Sequence, residues 1–129
     1  MSKRVSISSG SDWESKIGYS RVVKIGHFIE VSGTTAINEK GDIVGIGNPY
    51  HQTAFVIQKI AAYLHEAGAE LKDVVRTRMY VTDISYWKEI GRAHFESFGT
   101  VMPASSMVEV KSLIDPDLLI EMEVSAYRE

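Results

Sequence analysis

The chain has 129 residues, of which 44% are hydrophobic and 24% are charged, and its formal net charge is −3. This composition is typical of one globular domain, so we expect a single domain over residues 1–129. The acidic balance argues against a nucleic acid or an anionic membrane as partner. The absence of cysteine excludes disulfides and thiol chemistry. No apolar run reaches membrane-spanning length, and we expect a cytoplasmic location.

A β-hairpin is the first predicted element. Residues 19–33, YSRVVKIGHFIEVSG, contain two β-rich runs joined at Gly26 and His27, and a glycine between such runs marks a tight turn. Residues 38–42, NEKGD, predict the next turn. Asn48 as an N-cap and Pro49 at the first helical position predict a helix that Gly68 ends. The apolar stripe of this helix is formed by Ala54, Ile57, Ala61 and Leu64.

The second half of the chain predicts a strand, a helix and two further strands. Residues 74–82 alternate, and the predicted inner face carries Val75, Thr77, Met79 and Val81. Ser85 is predicted to cap a second helix that stops at Gly99, with a stripe of Trp87, Ile90, His94 and Phe98. Residues 102–110, MPASSMVEV, turn into a strand. The last strand is predicted to bury Leu118, Ile120, Met122, Val124 and Ala126.

This order of elements predicts an α+β domain, with one mostly antiparallel sheet and both helices on one face. The other face is predicted to mix charged with aromatic and apolar side chains, namely Arg76, Arg78, Tyr80, Met107, Glu109, Glu121, Glu123 and Tyr127. A solvated face with cross-strand ion pairs is one explanation. A subunit interface of a closed homo-oligomer is the other, because partly desolvated contacts use large aromatics and arginine.

Several segments resemble the Rid family, the YjgF-like reactive-intermediate deaminases, some members of which are described as L-PSP endoribonucleases. The most specific are VSG at 31–33, VTDI at 81–84, PASSMVEV at 103–110 and IEMEV at 120–124. The resemblance covers nearly the whole chain in the same order. It implies a chorismate-mutase-like α+β fold and a homotrimer whose sheets line a central barrel. It also implies binding sites in clefts between subunits.

Ser105 departs from the pattern of the deaminating branch. There an arginine after the Pro-Ala pair holds the substrate carboxylate by a bidentate pair. A serine hydroxyl offers one neutral donor where the carboxylate accepts two charged ones. The resemblance therefore indicates an arginine-lacking branch. We expect that enamines formed by dehydration of serine or threonine are not hydrolysed by this protein.

Other site residues are implied by the same resemblance. Glu121 matches the acidic residue that positions or activates water, Tyr19 matches the pocket tyrosine, and Gly33 falls where the backbone approaches the ligand. Arg92 and Arg78 stand where deaminating members have an amide and a small polar side chain. Either would restore anion binding. We expect Arg92 to bind the anion, because Arg78 shares a sheet face with Glu121, and pairing with that carboxylate would lower the attraction of Arg78 for a substrate anion. The predicted substrate site also contains Ser105, Met107 and His94.

Simpler explanations exist for three of these residues. Glu121 could pair with Arg76 or Arg78 across strands. Tyr19 could be a packing residue at the start of a strand, and His94 could be one on its helix. The four histidines have no ligand spacing, so neither a metal nor another cofactor is predicted.

Two classes of function fit the sequence. One is a hydrolase that acts on a small enamine or imine, and the other is a non-catalytic module that binds a small carboxylic metabolite in a cleft between subunits. Both predict a small anionic ligand and a homotrimer. Endoribonuclease activity is a third possibility, against which the acidic net charge weighs.

Overall fold

A single six-stranded sheet forms the centre of the protein. The computed structural model describes residues 3–129. The strands are β1 (Arg4–Ile7), β2 (Val22–Ile25), β3 (Phe28–Thr35), β4 (Val74–Val81), β5 (Ala104–Glu109) and β6 (Ile120–Tyr127). Their order is β1-β2-β3-β6-β4-β5, and only β4 and β5 run parallel. The prediction of one mostly antiparallel sheet in an α+β domain is confirmed.

Three α-helices accompany the sheet in the described residues: α1 (Asp12–Ile17), α2 (Pro49–Glu66) and α3 (Trp87–Phe98). Single 3-10 turns occur at Leu71–Asp73 and Ile84–Tyr86. The helix α2 packs on β3 and β6, and α3 packs on α2. Across residues 3–129, none of the helices combines the length and the apolar character needed to cross a membrane.

The start and end of α2 follow from local chemistry. The Asn48 side chain accepts a hydrogen bond from the His51 backbone N at 2.9 Å, which satisfies one of the free N–H groups of the first turn. Pro49 follows at a position where no intrahelical donor is required. After the helix, Gly68 has a φ of 84°, a conformation that favours glycine. The predicted helix is confirmed at both ends.

The core lies between α2, α3 and the inner face of the sheet. The predicted alternation of β6 is confirmed, because Leu118, Ile120, Met122, Val124 and Ala126 are all buried. The buried side chain of Gln52 on α2 donates to the Asp117 carbonyl at 2.9 Å and accepts from the Leu119 N at 2.8 Å. This pair of hydrogen bonds fixes the loop before β6 on the helix layer.

The predicted inner face of β4 is wrong at one position. Val75 is 50% exposed, whereas Val74 is buried. The register shows the cause: Val74 pairs with Ala126 and Arg76 pairs with Ser125, so Val75 is the extra residue of a β-bulge. A bulge reverses the alternation on one side of it. From Thr77 onward the predicted alternation is confirmed.

The sheet face predicted for Met107 and Glu109 is also wrong. The strand β5 pairs in parallel with β4, and Met107 lies opposite Met79, whose side chain is buried in the core. Met107 therefore packs on the helix side, against the core. Glu109 lies opposite Val81 and accepts a hydrogen bond from the Ile84 backbone N at 3.0 Å. The register of β5 with β4 decides which sheet face each β5 side chain occupies. The sequence of β5 alone does not contain this register.

Three local features differ from the prediction or were not predicted. The strand β1 and the short helix α1 precede the predicted hairpin, and Ser11 caps α1 by accepting from the Trp13 N at 3.2 Å. Ser85 does not cap α3. It lies in the preceding 3-10 turn, where its backbone N donates to Asp83 at 2.9 Å. Trp87, at the start of α3, is 54% exposed and lies outside the core.

Two valines on β4 provide a test of the bulge. We expect Val81→Ala, at a fully buried position, to lower the free energy of unfolding by about 2 kcal/mol, since it removes buried methyl groups and leaves a void. Val75→Ala should change it by less than about 0.5 kcal/mol, because the bulge holds this side chain in solvent. Chemical denaturation of both variants measures the difference, and equal losses would contradict the register described above.

Candidate functional site

A cavity of about 1130 Å³ opens beside the middle of the sheet. Its walls come from the segment around α1, from β3 and the loop after it, from α2 and from β6. Three of the predicted site residues line it together: Tyr19, Gly33 and Glu121. Residues far apart in the sequence thus meet in one cleft, as the resemblance implied for these three positions.

Gly33 belongs to a β-bulge in β3. The paired positions advance three residues on β3, from Val31 to Thr34, but only two on β6, from Val124 to Met122. The bulge keeps both Val31 and Thr34 buried and turns Gly33 toward Glu121. A Cβ on Gly33 would overlap the Oε2 atom of Glu121. Glycine is therefore required for the carboxylate to lie against the β3 backbone.

Glu121 is a partly buried carboxylate that forms no ion pair within residues 3–129. Burial raises the pKa of Glu121, the nearby Arg21 guanidinium opposes this rise, and the charge of Glu123 adds to it. A carboxylate that is partly desolvated and not neutralised by a partner can orient and deprotonate a water molecule. The structure thus does not support the alternative in which Glu121 pairs with Arg76 or Arg78.

The neighbouring carboxylate, Glu123, has the partners that Glu121 lacks. Arg78 Nη1 lies 3.8 Å from its Oε1, and the Tyr80 hydroxyl donates to the same oxygen at 2.9 Å. The guanidinium of Arg78 is therefore engaged on the open sheet face. Arg78 does not line the cavity.

Tyr19 is positioned by the end of α1. Gly18 has a φ of 92° and ends the helix, and the backbone N atoms of Gly18 and Tyr19 both donate to the Glu14 carbonyl, at 2.9 and 3.0 Å. The carboxylate of Glu14 accepts from the Ser9 backbone N, which ties the loop before α1 to the helix. This local network forms one wall of the cavity and brings the Tyr19 ring to it.

Two cations in the cavity are not among the predicted site residues. Arg21 donates to the Gly33 carbonyl, and Lys59 on α2 donates to the carbonyls of Thr35 and Ile37, each at 2.8 Å. Burial and the charge of Arg21 lower the pKa of Lys59 to about 8. The sequence contained a signal for both: Arg21 lies two residues after Tyr19 in the predicted β-rich run, where alternate residues share a face, and Lys59 lies one turn before Tyr63 on α2.

Ser105 and His94 form a second group at the β5 edge of the sheet, and Met107 lies two residues further along β5, packed against the core. The Thr77 hydroxyl donates to Oγ of Ser105 at 2.8 Å and contacts Nε2 of His94 at 2.9 Å. Ser105 is exposed, and His94 is partly buried, which lowers its pKa. Thr77 thus links Ser105 to His94, and none of Ser105, His94 and Met107 lines the cavity that contains Glu121.

Arg92 lies apart from both groups. Its guanidinium carbon is 3.8 Å from the ring centroid of Tyr50, which is on α2. This stacking contact holds Arg92 on the outer surface of the two helices, and Arg92 does not line the cavity. Within residues 3–129 there is also no cluster of three or more His, Cys, Asp or Glu side chains that could hold a metal ion.

The fold and the cavity define the class of protein: an α+β fold with the partly buried carboxylate of Glu121 and two cations in a cleft beside a β-bulge. The model of the endoribonuclease L-PSP family matches residues 11–128. A RutC family protein of Pyrococcus abyssi is 44% identical over 112 residues, covering 86% of this chain and 87% of the relative. The chain therefore belongs to this family, and the resemblance to the YjgF-like Rid proteins is confirmed.

Further relatives agree in fold and family. A 3-aminoacrylate deaminase, RutC, of Acinetobacter baylyi is 32% identical over 109 residues, covering 84% of this chain and 86% of that protein. The crystal structure of a Mycobacterium tuberculosis member of the YjgF/YER057c/UK114 family has a TM-score of 0.88 and 47% identity. It covers 98% of this chain and 100% of that one.

The Gly33 position allows a test of the site that leaves the core intact. In Gly33→Ala the new methyl group displaces the Glu121 carboxylate, which can swing away because it ends a flexible side chain. We expect nearly unchanged stability, with a free-energy change below about 1 kcal/mol, and a moved Glu121 side chain in a crystal structure. Gly91→Ala is the control, since a methyl group there meets no atom within 4 Å. An unmoved Glu121 in Gly33→Ala would contradict the close contact.

Proposed function

We propose that this protein hydrolyses a small enamine or imine and releases ammonia. The observation that carries the proposal is the unpaired, partly buried Glu121 carboxylate in the cavity beside Gly33. The relative named as a 3-aminoacrylate deaminase supports the same reaction class. Glu121 and Tyr19 are the residues to which we assign the catalytic roles.

The chemistry needs few groups. A proton from solvent first adds to the enamine carbon and gives the iminium ion, and a water molecule then adds to the iminium carbon. Glu121 in its ionised form holds this water and accepts one of its protons as the carbon–oxygen bond forms, which gives the carbinolamine. The same carboxyl group returns that proton to nitrogen, and the carbon–nitrogen bond breaks with ammonia as the leaving group. The carbinol oxygen becomes the carbonyl of the product, and its proton returns to solvent. Tyr19 supplies a hydroxyl donor at the cavity wall. No step requires a metal or another cofactor.

The assembly that we propose is a homotrimer. The open sheet face and the β5 edge carry exposed apolar side chains, among them Phe28, Val108 and Tyr127, and apolar patches of this kind are typical of subunit contacts. In the proposed trimer, the β5 edge of one protomer faces the cavity of the next. Ser105, Met107, His94 and Arg92 would then complete a site that Tyr19, Gly33 and Glu121 begin.

The reaction is tested with two enamines formed in solution. One is 3-aminoacrylate, released by hydrolysis of its N-carbamoyl derivative, and the other is 2-aminoacrylate, formed by a serine dehydratase. We expect the protein to accelerate ammonia release from 3-aminoacrylate. Glu121→Gln should be slower by at least about a hundredfold, since it removes a general base, while Glu129→Gln, at an exposed position outside the cavity, should match the wild type.

The two enamines separate the outcomes. Acceleration of 2-aminoacrylate would overturn the expectation drawn from Ser105 and would mean that another residue holds the substrate carboxylate. If neither enamine decays faster with the protein than without it, the hydrolase proposal fails. The second candidate, a binding module for a carboxylic metabolite, then accounts for the cavity.

The assembly is tested by light scattering. We expect a particle of three times the 14.4 kDa chain mass at micromolar concentration. Phe28 is 63% exposed and its ring stacks edge-on to Tyr127, with the ring centroids 5.1 Å apart, so Phe28→Asp should dissociate the particle by placing a charge in the contact. A wild-type protein that scatters as a monomer would refute the proposed trimer.

A further inference from the structure

Arg21 is a cation whose hydrogen-bonding capacity is only partly used. One guanidinium N–H group donates to the Gly33 carbonyl, and the Nε atom is buried without an acceptor in the described part of the chain. No carboxylate oxygen of residues 3–129 lies within 4 Å of its nitrogens. Glu14 and Glu121 are close enough for the charge of Arg21 to act on their pKa values, but neither forms an ion pair with it in the described residues. A partly buried guanidinium without such a pair is stabilised when an anion binds to it.

Two aromatic rings hold the Arg21 guanidinium in place. Its central carbon lies 5.9 Å from the ring centroid of Tyr19 and 5.6 Å from that of Tyr63, within the range of cation–π attraction. Together with the bond to Gly33, these contacts fix the guanidinium at the cavity wall before any ligand arrives. A donor that is already oriented loses less entropy on binding a carboxylate.

Lys59 places a second positive charge in the same cavity. Its Nζ is held by two backbone carbonyls and has no carboxylate partner in the described residues. The charge of Arg21 is close enough to contribute to the lowered pKa of Lys59. Two cations that repel each other in a partly desolvated site favour an anion between or beside them.

The acidic side chains of the cavity do not cancel this charge. Glu123 is engaged by Arg78 and Tyr80, and Glu39 and Glu66 are exposed at the rim. Glu121 is close enough for the charge of Arg21 to act on its pKa, yet it lies outside ion-pair distance. The cavity therefore has a positive corner and, next to it, the partly buried carboxylate of Glu121.

We propose that Arg21, supported by Lys59, binds the carboxylate of the substrate and so takes the role of the arginine that Ser105 replaces. The inference rests on the proposed function and names its substrate class: a small acid with an enamine or imine group within reach of Glu121. The carboxylate-binding residues then belong to the same protomer as Glu121. In the alternative, Arg92 would bind the carboxylate from a neighbouring protomer.

The test uses pyruvate, a small 2-oxo acid, and pyruvamide, its neutral amide. In two-dimensional amide NMR, we expect pyruvate to shift signals of Gly33 and Tyr19 with a Kd of about 1 mM, and pyruvamide to bind at least about tenfold more weakly. Arg21→Gln should weaken pyruvate binding by at least about tenfold and Lys59→Met by about threefold to tenfold, because each removes a charged donor. Arg4→Gln, an exposed charge outside the cavity, is the control.

Three results would overturn the proposal. The first is that pyruvate causes no saturable shift at about 50 mM, far above the expected Kd. The second is equal affinity for pyruvate and pyruvamide. The third is full affinity in Arg21→Gln together with loss of binding in Arg92→Gln. Thermal unfolding checks that each variant is folded. Should Arg21→Gln not fold, Arg21→Lys keeps a donor for Gly33 but loses the planar fork, and a weaker affinity for pyruvate is still expected.

Glu121→Gln separates this proposal from the proposed function. It should bind pyruvate at least as well as the wild type, since it removes a negative charge near the site. Binding that depends on Arg21 in a protein that hydrolyses neither enamine would support the anion site and reject the hydrolase. Hydrolysis of 3-aminoacrylate that Arg21→Gln leaves unchanged would support the hydrolase and reject the anion site.

Discussion

The close approach of the Glu121 carboxylate to the backbone of Gly33 is the contact around which the cavity is built. It requires a residue without a side chain and a strand that bends away from its partner, and the bulge in β3 supplies both. The bulge also exposes the Gly33 carbonyl to Arg21. One irregularity in the β3–β6 pairing thus places a carboxylate and a guanidinium on either side of the same glycine.

Two glutamates on one strand illustrate how the environment separates chemical roles. Glu121 and Glu123 share a face of β6, yet Glu123 receives a hydrogen bond from Tyr80 and pairs with Arg78. Glu121 has no such partners, and burial raises its pKa. Desolvation costs free energy that a purely structural residue would recover by pairing. An unpaired carboxylate at this position is therefore typical of a site that binds or transforms a ligand.

Alternation in the sequence was enough to predict much of the fold. The inner face of β6, the hairpin turn at Gly26 and both ends of α2 were all predicted, because each depends on residues close in sequence. The errors lie where a neighbouring strand decides the outcome. Val75 is exposed because a bulge shifts the phase of β4 against β6, and Met107 faces the helices because β5 pairs in parallel with β4.

The candidate site likewise has one part that the sequence predicted and another that only the tertiary structure showed. The sequence by itself determined the family and predicted the departure at Ser105 and the candidates Tyr19, Gly33 and Glu121, since these are carried by local motifs. Only the tertiary structure showed that Arg21 and Lys59 line the cavity of Glu121, and that Ser105 is linked through Thr77 to His94. The physical reason is that α2, β3 and β6 are far apart in sequence and become neighbours only through packing. Neither composition nor periodicity predicts which of their charged side chains come together.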